Sequence, residues 1–99
     1  MASVFILSGE SGAYSDTMLW TVGVYASEDL AKAKLAALES ILKAHGLIPF
    51  PENYRSDWDG HFDRCSAAED ELQEIDPMAR VQVSGTAYEI NEHVLTEVA

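Results

Sequence analysis

One long amphipathic helix is the feature of this sequence that most restricts its fold. Residues 28–44 carry apolar side chains at helical spacing, Ser27 stands at the N-cap position, and Gly46 follows the end. The residues expected on the apolar side are Leu30, Ala37, Leu38, Ile41 and Leu42. Such a helix needs an apolar surface to cover, so we expect it to lie on one face of a β-sheet.

Apolar segments before and after this helix predict the strands. "SVFILS" (residues 3–8) is apolar on both faces, which indicates a central strand, and "TMLWTVGVY" (17–25) predicts its neighbour. Residues 9–16 between them predict a hairpin loop. Residues 80–98 predict a second hairpin that turns at Ser84 and Gly85. In the strand 17–25, the even positions are expected to share one face: Met18, Trp20, Val22 and Val24.

The segment 47–76 separates the long helix from the second hairpin. Its first part, residues 47–64, mixes prolines, a glycine and aromatics with charges and predicts a long loop. Ser66 and Glu69 then form a capping box that opens a short helix. The predicted order is β-β-α-α-β-β, an α+β fold in a single domain over residues 1–99. Its sheet is four-stranded and mostly antiparallel, with two helices on one face.

Charge and cysteine content exclude several classes of function. Seventeen acidic against six basic residues give a net charge of −11, which repels nucleic acid and anionic lipid and attracts basic protein surfaces. The single cysteine, Cys65, rules out an intramolecular disulfide and fits a reducing compartment. The apolar run near the N-terminus is too short for a signal peptide or a membrane span. We therefore expect a soluble, cytoplasmic protein, with no direct nucleic-acid or membrane binding.

The serine of the first loop resembles a nucleophile at first inspection. Gly9, Glu10 and Ser11 begin the Gly-x-Ser-x-Gly pattern, but Ala13 occupies the place of the second glycine. A strand rather than a helix follows. We therefore interpret Ser11 as a turn residue and expect Ser11→Ala to leave fold and activity unchanged.

A histidine among carboxylates is the strongest candidate for a metal site. In "DWDGHFD" (residues 57–63) the acids alternate as in a calcium loop. However, Phe62 stands where that loop needs glycine, and Ala68 stands where it needs a bidentate acid. The sequence therefore predicts no bound metal and no cofactor.

Cys65 is the remaining candidate for catalysis, with His61 or His93 as its base. Acids surround this cysteine in the sequence, and negative charge raises the pKa of a thiol and disfavours the reactive thiolate. We therefore predict no catalytic residue and a protein that is not an enzyme.

Negative charge and aromatic residues coincide in one quarter of the chain. Residues 52–76 hold nine acids and two bases, and aromatics recur every four residues from Phe50 to Phe62. One or two helical turns there would align the aromatics, either to fix the segment to the core or to form a protein-binding hot spot. The predicted partner-binding residues are Tyr54, Asp57, Trp58, Asp59, Asp63, Glu69, Asp70, Glu71 and Glu74.

Three stretches resemble those of small phage and prophage proteins. "VFILSG", "WTVGVYASEDLAKAKLAALE" and "YEINEHVL" are similar to a hairpin that ends in Gly-Val-Tyr, a Ser-x-Glu helix start and a closing Tyr-x-Ile strand. The matching residues are Gly23, Val24, Tyr25, Ser27, Glu28 or Asp29, Tyr88 and Ile90. The resemblance covers about half the chain, leaves out residues 47–76 and carries no functional residue. It implies a phage accessory role, among which inhibitors of host defence, including anti-CRISPR proteins, are frequent.

The sequence therefore predicts a non-enzymatic, phage-type accessory protein that binds and inhibits a host macromolecule. Its acidic face is expected to dock, as a DNA mimic, on the basic surface of a nucleic-acid-handling defence complex such as a CRISPR effector. The alternative is a small structural module, or a homodimer, whose acidity serves only solubility.

Overall fold

A computed structural model describes residues 2–12 and 17–95 of the chain. Three strands, two helices and one 3-10 turn make up this part. The strands are β1 (Ala2–Ser11), β2 (Met18–Tyr25) and β3 (Thr86–Leu95). The helices are α1 (Glu28–Ala44) and α2 (Trp58–Leu72), and the 3-10 turn is Tyr54–Asp57. None of the helices described is long and apolar enough to cross a membrane.

The described sheet is antiparallel and three-stranded, in the order β2-β1-β3. The predicted central position of β1 is confirmed, but the four-stranded sheet is wrong. Residues 81–85 make only an isolated bridge between Gln82 and Gly85, because side chains take the backbone donors that a strand would use. Val81 N donates to Glu69 Oε1 and Gln82 N donates to Ser11 Oγ.

The β1–β2 hairpin is longer than predicted, and its strands are irregular. A bulge shifts the register between Leu7 and Ser8, so that Leu7 pairs with Gly23 and Ser8 with Thr21. The extra residue reverses the alternation of β2, and Trp20 and Tyr25 both pack on the core. The predicted shared face of the even positions is therefore wrong at Val24, which is exposed. Residues 13–16 of the predicted loop, and 96–98 of the second hairpin, lie outside the described residues.

Helix α1 has the predicted bounds and covers one face of the sheet. Ser27 Oγ accepts a hydrogen bond from Leu30 N, as expected of an N-cap. Leu38 and Leu42 are buried against Leu7 of β1, and α1 contacts all three strands. Leu30 was expected on the apolar side but is exposed, and Ala31 is buried instead.

Helix α2 begins eight residues before the predicted start at Ser66, directly after the 3-10 turn. Its buried residues are His61, Cys65, Ala68 and Leu72, which follow helical spacing across the predicted loop boundary. The sequence pattern missed this because one of the four positions holds a histidine, which is not a typical core side chain. Helix α2 packs against α1 and the 3-10 turn rather than directly on the strands.

Glycine is required at one point where β1 and β2 meet. Gly9 pairs with Trp20, and the indole ring lies over the glycine on the core side of the sheet. A Cβ atom at residue 9 would lie 2.8 Å from Trp20 Nε1, closer than non-bonded contacts allow. This close approach positions the indole for the hydrogen bond described below.

Candidate functional site

The acidic side chains of helix α2 project in different directions. Its buried side faces the core, and Asp59, Asp63 and Asp70 project from the opposite side at helical spacing. These three residues are named here the outer face of α2. All three are exposed, and none forms an ion pair within the described part of the chain. Their negative charge is therefore available to a partner.

The other predicted acids are engaged or lie elsewhere. On the side toward α1, Asp57 Oδ2 lies 3.4 Å from Arg64 Nη1 and Glu71 Oε2 lies 2.6 Å from His45 Nε2. Glu69 is on the other flank, where its Oε1 accepts the 2.9 Å hydrogen bond from Val81 N. Glu74 is exposed in the turn that follows α2. The nine predicted residues therefore do not form one continuous surface.

Aromatic rings cluster at the start of α2. Tyr54 contacts Phe50, Trp58 and the ring of His61, with centroid distances of 5.5, 6.3 and 4.7 Å. Tyr54 is half-buried and holds the 3-10 turn on the helix, whereas Trp58 remains 48% exposed. Phe62 is also exposed but lies outside the cluster. The two hypotheses for the aromatics therefore apply to different residues. Tyr54 fixes the segment to the rest of the protein, whereas Trp58 faces solvent.

Cys65 and His61 are neighbours but are not arranged as a nucleophile and its base. His61 Nε2 donates to the Val83 carbonyl at 2.9 Å, so this nitrogen carries a proton and cannot accept one from Cys65 Sγ, 3.6 Å away. Burial raises the pKa of the Cys65 thiol; Arg64 lowers it and Glu69 raises it further. A cavity of about 380 Å³ reaches Cys65 between α2 and residues 81–83. The raised pKa favours the protonated thiol over the reactive thiolate.

The histidine and acids of residues 57–63, which do not match a calcium loop, are dispersed by the helix that contains them. His61 points into the core, whereas Asp59 and Asp63 project to solvent on the opposite side. Within residues 2–12 and 17–95, no group of three or more histidine, cysteine or acidic side chains is arranged to hold a metal ion.

Ser11 is a strand residue rather than a turn residue. It is the last residue of β1 and is fully buried. Its Oγ accepts from Gln82 N at 3.0 Å and lies 2.9 Å from Thr86 Oγ1. The hydroxyl therefore joins the end of β1 to the segment that leads into β3, and the expectation that Ser11→Ala leaves the fold unchanged is not supported by these contacts.

A buried carboxylate is the polar feature that the sequence did not predict. Asp76 is 2% exposed, and its Oδ2 accepts hydrogen bonds from Trp20 Nε1 at 2.8 Å and Tyr88 Oη at 3.1 Å. Its Oδ1 accepts from Met78 N at 3.2 Å. Burial and the Asp76 charge raise the pKa of the Tyr88 hydroxyl above its ordinary value. Asp76 therefore belongs to the core rather than to the acidic surface of residues 52–76.

Comparison with known proteins gives no further guidance. No family model matches the chain, and no curated protein or solved structure matches it.

Proposed function

We propose that this protein is a non-enzymatic inhibitor, of the phage accessory type, that docks on a basic surface of a host nucleic-acid-handling protein. The observation that carries the proposal is the outer face of α2, where three carboxylates are exposed and unpaired within the described residues, on the same helix as the exposed ring of Trp58. Aromatic residues provide most of the binding energy at many interfaces, and the charges guide the encounter.

The spacing of these carboxylates indicates how they act. Asp59 and Asp63 are about 6 Å apart along the helix axis, and Asp59 and Asp70 about 16 Å. A DNA duplex of the length from Asp59 to Asp70 carries about ten phosphate charges. Three carboxylates match only a few phosphates along one strand. We therefore propose that the outer face steers the protein onto a phosphate-binding surface, while the apolar contact of Trp58 slows its release.

The proposal includes no catalytic step. The two side chains with nucleophilic atoms that the sequence singles out, Ser11 and Cys65, are both buried and make hydrogen-bonding contacts within the fold. A role in binding uses the residues that remain exposed. Catalysis by Ser11 would require its hydroxyl to leave these contacts, and catalysis by Cys65 would require a thiolate, which burial disfavours.

Affinity capture with paired charge variants tests the proposal. Nuclease-treated bacterial lysate is passed over the immobilised protein at low and at high salt, and the retained proteins are identified by mass spectrometry. Asp63→Lys/Asp70→Lys reverses two charges of the outer face, and Glu39→Lys/Glu92→Lys makes the same change in net charge at exposed residues of α1 and β3. Asp59 is kept because an acid in the first turn stabilises the helix.

We expect a nucleic-acid-binding protein to be retained at low salt and released at high salt, because salt screens exposed charges. The outer-face variant should lose this protein, and the variant in α1 and β3 should keep it. If both variants lose the captured protein equally, capture depends on the net charge of the protein and not on the position of the charges. The alternative function, a module whose acidity serves solubility, would then be preferred.

A further inference from the structure

The second face of the sheet has no cover among the described residues. Helix α1 lies on the face that contains Leu7, whereas Ile6 and the other even positions of β1 point the opposite way. We name that side the open face. Its apolar residues are Val4 and Ile6 of β1, Leu19 and Val24 of β2, and Ala87 and Leu95 of β3.

Several of these side chains are unusually accessible for apolar residues in a sheet. Leu19 is 74% exposed, Val24 58% and Leu95 52%, and they come from both edge strands. Leu95, Val4, Ile6 and Val24 lie in successive rows of this face, and Leu19 follows beyond a polar row formed by Ser8, Thr21 and Glu89. Apolar residues grouped on one surface mark interaction sites, whereas single exposed apolar residues carry no such meaning.

The charge of the open face indicates the chemistry of its partner. Glu10 and Glu89 flank a hollow of about 120 Å³ that Ser8, Leu19 and Ala87 also line. None of the six lysine and arginine residues, all of them in the described part of the chain, lies in a strand. A second copy of this chain would bring the same carboxylates and another net charge of −11 to the interface. A cationic partner meets no such repulsion.

The dimensions of the sheet indicate the shape of the partner. Three strands span about 10 Å from edge to edge, which is the diameter of one α-helix with its side chains. On the opposite face, the single helix α1 contacts all three strands. The open face therefore has room for one helix.

We propose that the open face binds one amphipathic helix of a basic protein, with leucine-type residues against Ile6, Leu19 and Leu95. Lysine or arginine side chains of that helix would reach Glu10 and Glu89. This surface is separate from the outer face of α2, so the protein would contact basic partners on two sides.

A model peptide tests this inference. The probe is a peptide of leucine and lysine with an amphipathic helical repeat of about five turns, about 27 Å, because Leu19 and Leu95 lie level with Glu10 and Ala2 of β1, eight residues apart. The control peptide has the same composition in strict alternation. Binding is measured by calorimetry, and the contact surface is mapped by amide chemical shifts of the labelled protein. Shift changes are expected at β1, β2 and β3 residues around the open face, and the alternating peptide should bind more weakly.

Neighbouring residues on opposite faces provide matched variants. Leu95 and Val94 are adjacent in β3 and both 52% exposed, but only Leu95 is on the open face. Leu19 and Met18 form a similar pair in β2. Leu19→Thr and Leu95→Thr should each weaken binding by about tenfold. Met18→Thr and Val94→Thr should leave the affinity almost unchanged.

Three outcomes would overturn the inference. The first is absence of peptide binding or shift changes confined to α2, and the second is equal weakening by both members of each pair. The third is a dimer of the protein alone, seen by sedimentation and dissociated by Leu95→Thr, since a second copy would then cover the open face. A loss of lysate capture in Asp63→Lys/Asp70→Lys does not depend on any of these results, so the two proposals fail separately.

Discussion

Replacement of Asp76 is the perturbation whose effect follows most directly from the structure. Asp76→Ala removes the acceptor of the Trp20 indole N–H and of the Tyr88 hydroxyl, which are 2.8 and 3.1 Å from the same carboxylate oxygen. Tyr88 is 7% exposed and Trp20 is half-buried, so neither donor gains full access to water. Met78 is exposed, and its backbone N–H can be satisfied by solvent.

The expected destabilisation comes from these two buried donors. A buried donor without an acceptor costs about 1–3 kcal/mol, so the sum is about 3 kcal/mol after partial access of Trp20 to water. Domains of this size have a free energy of unfolding of about 5–15 kcal/mol, so the loss is a large fraction of it. In thermal unfolding it corresponds to a decrease in Tm of about 12–24 °C.

Chemical and thermal denaturation, followed by circular dichroism, provide the assay. Asp76→Asn keeps an oxygen that can accept from both donors, so it should cost clearly less than Asp76→Ala. Asp70→Ala is the control, because it removes the same side chain from an exposed site and should change stability by less than about 0.5 kcal/mol. Tyr88→Phe combined with Asp76→Ala should destabilise less than the sum of the single changes.

The reasoning would be refuted if Asp76→Ala lowered the free energy of unfolding by less than about 1 kcal/mol. Loss of a buried charge is neutral only when the remaining groups adapt, and the two donors would then not be left unsatisfied. An Asp76→Asn variant as unstable as Asp76→Ala would also refute it, since acceptor loss would then not explain the effect.

Three further predictions concern the same core. Ser11→Ala should lower the free energy of unfolding by about 1 kcal/mol because it removes the hydrogen bond between the Ser11 hydroxyl and the half-buried Gln82 N–H, whereas Ser66→Ala, at an exposed site, should have little effect in the same denaturation assay. The pKa of Tyr88 is raised in the folded state. The contribution of the Tyr88 hydroxyl to the free energy of unfolding is therefore complete below pH about 10 and is lost at higher pH, where this hydroxyl ionises in the unfolded chain. Above pH 10, the free energy of unfolding should therefore decrease less steeply with pH in Tyr88→Phe than in the unchanged protein. Gly9→Ala should lower Tm, because the indole held by Asp76 leaves no space for a methyl group, and near-ultraviolet circular dichroism should show a changed tryptophan environment; an unchanged Tm would contradict the close approach.

The elements that could be predicted depend on local patterns. Helix α1 has its cap, its period and its stop within 20 consecutive residues, from Ser27 to Gly46, and its bounds were predicted correctly. The central position of β1 followed from apolar residues on both faces. The bounds of α1 and the central position of β1 both depend on residues that are close in the sequence, so they can be predicted without knowledge of distant contacts.

The features that were missed depend on contacts between distant parts of the chain. The sequence pattern places Asp76 among the surface acids, and its burial is explained by Trp20, 56 residues earlier, and Tyr88, 12 residues later. Ser11 and Gln82 are 71 residues apart, and their hydrogen bond replaces the pairing that the predicted fourth strand needs. The candidate site was partly predictable, since acids and aromatics do lie on the surface of α2. Which acids remain unpaired depends on His45, Arg64 and Val81, whose positions the sequence pattern did not reveal.

Competition with DNA for the captured partner is the most direct test of the proposed docking surface. A short DNA duplex is titrated into the complex of this protein with the nucleic-acid-binding protein that it retains, and release is followed by fluorescence anisotropy of the labelled protein. We predict that duplex displaces the protein, that Asp63→Lys/Asp70→Lys slows association mainly, and that Trp58→Ala speeds dissociation mainly. A ternary complex, in which the partner holds the duplex and this protein together, would contradict the account.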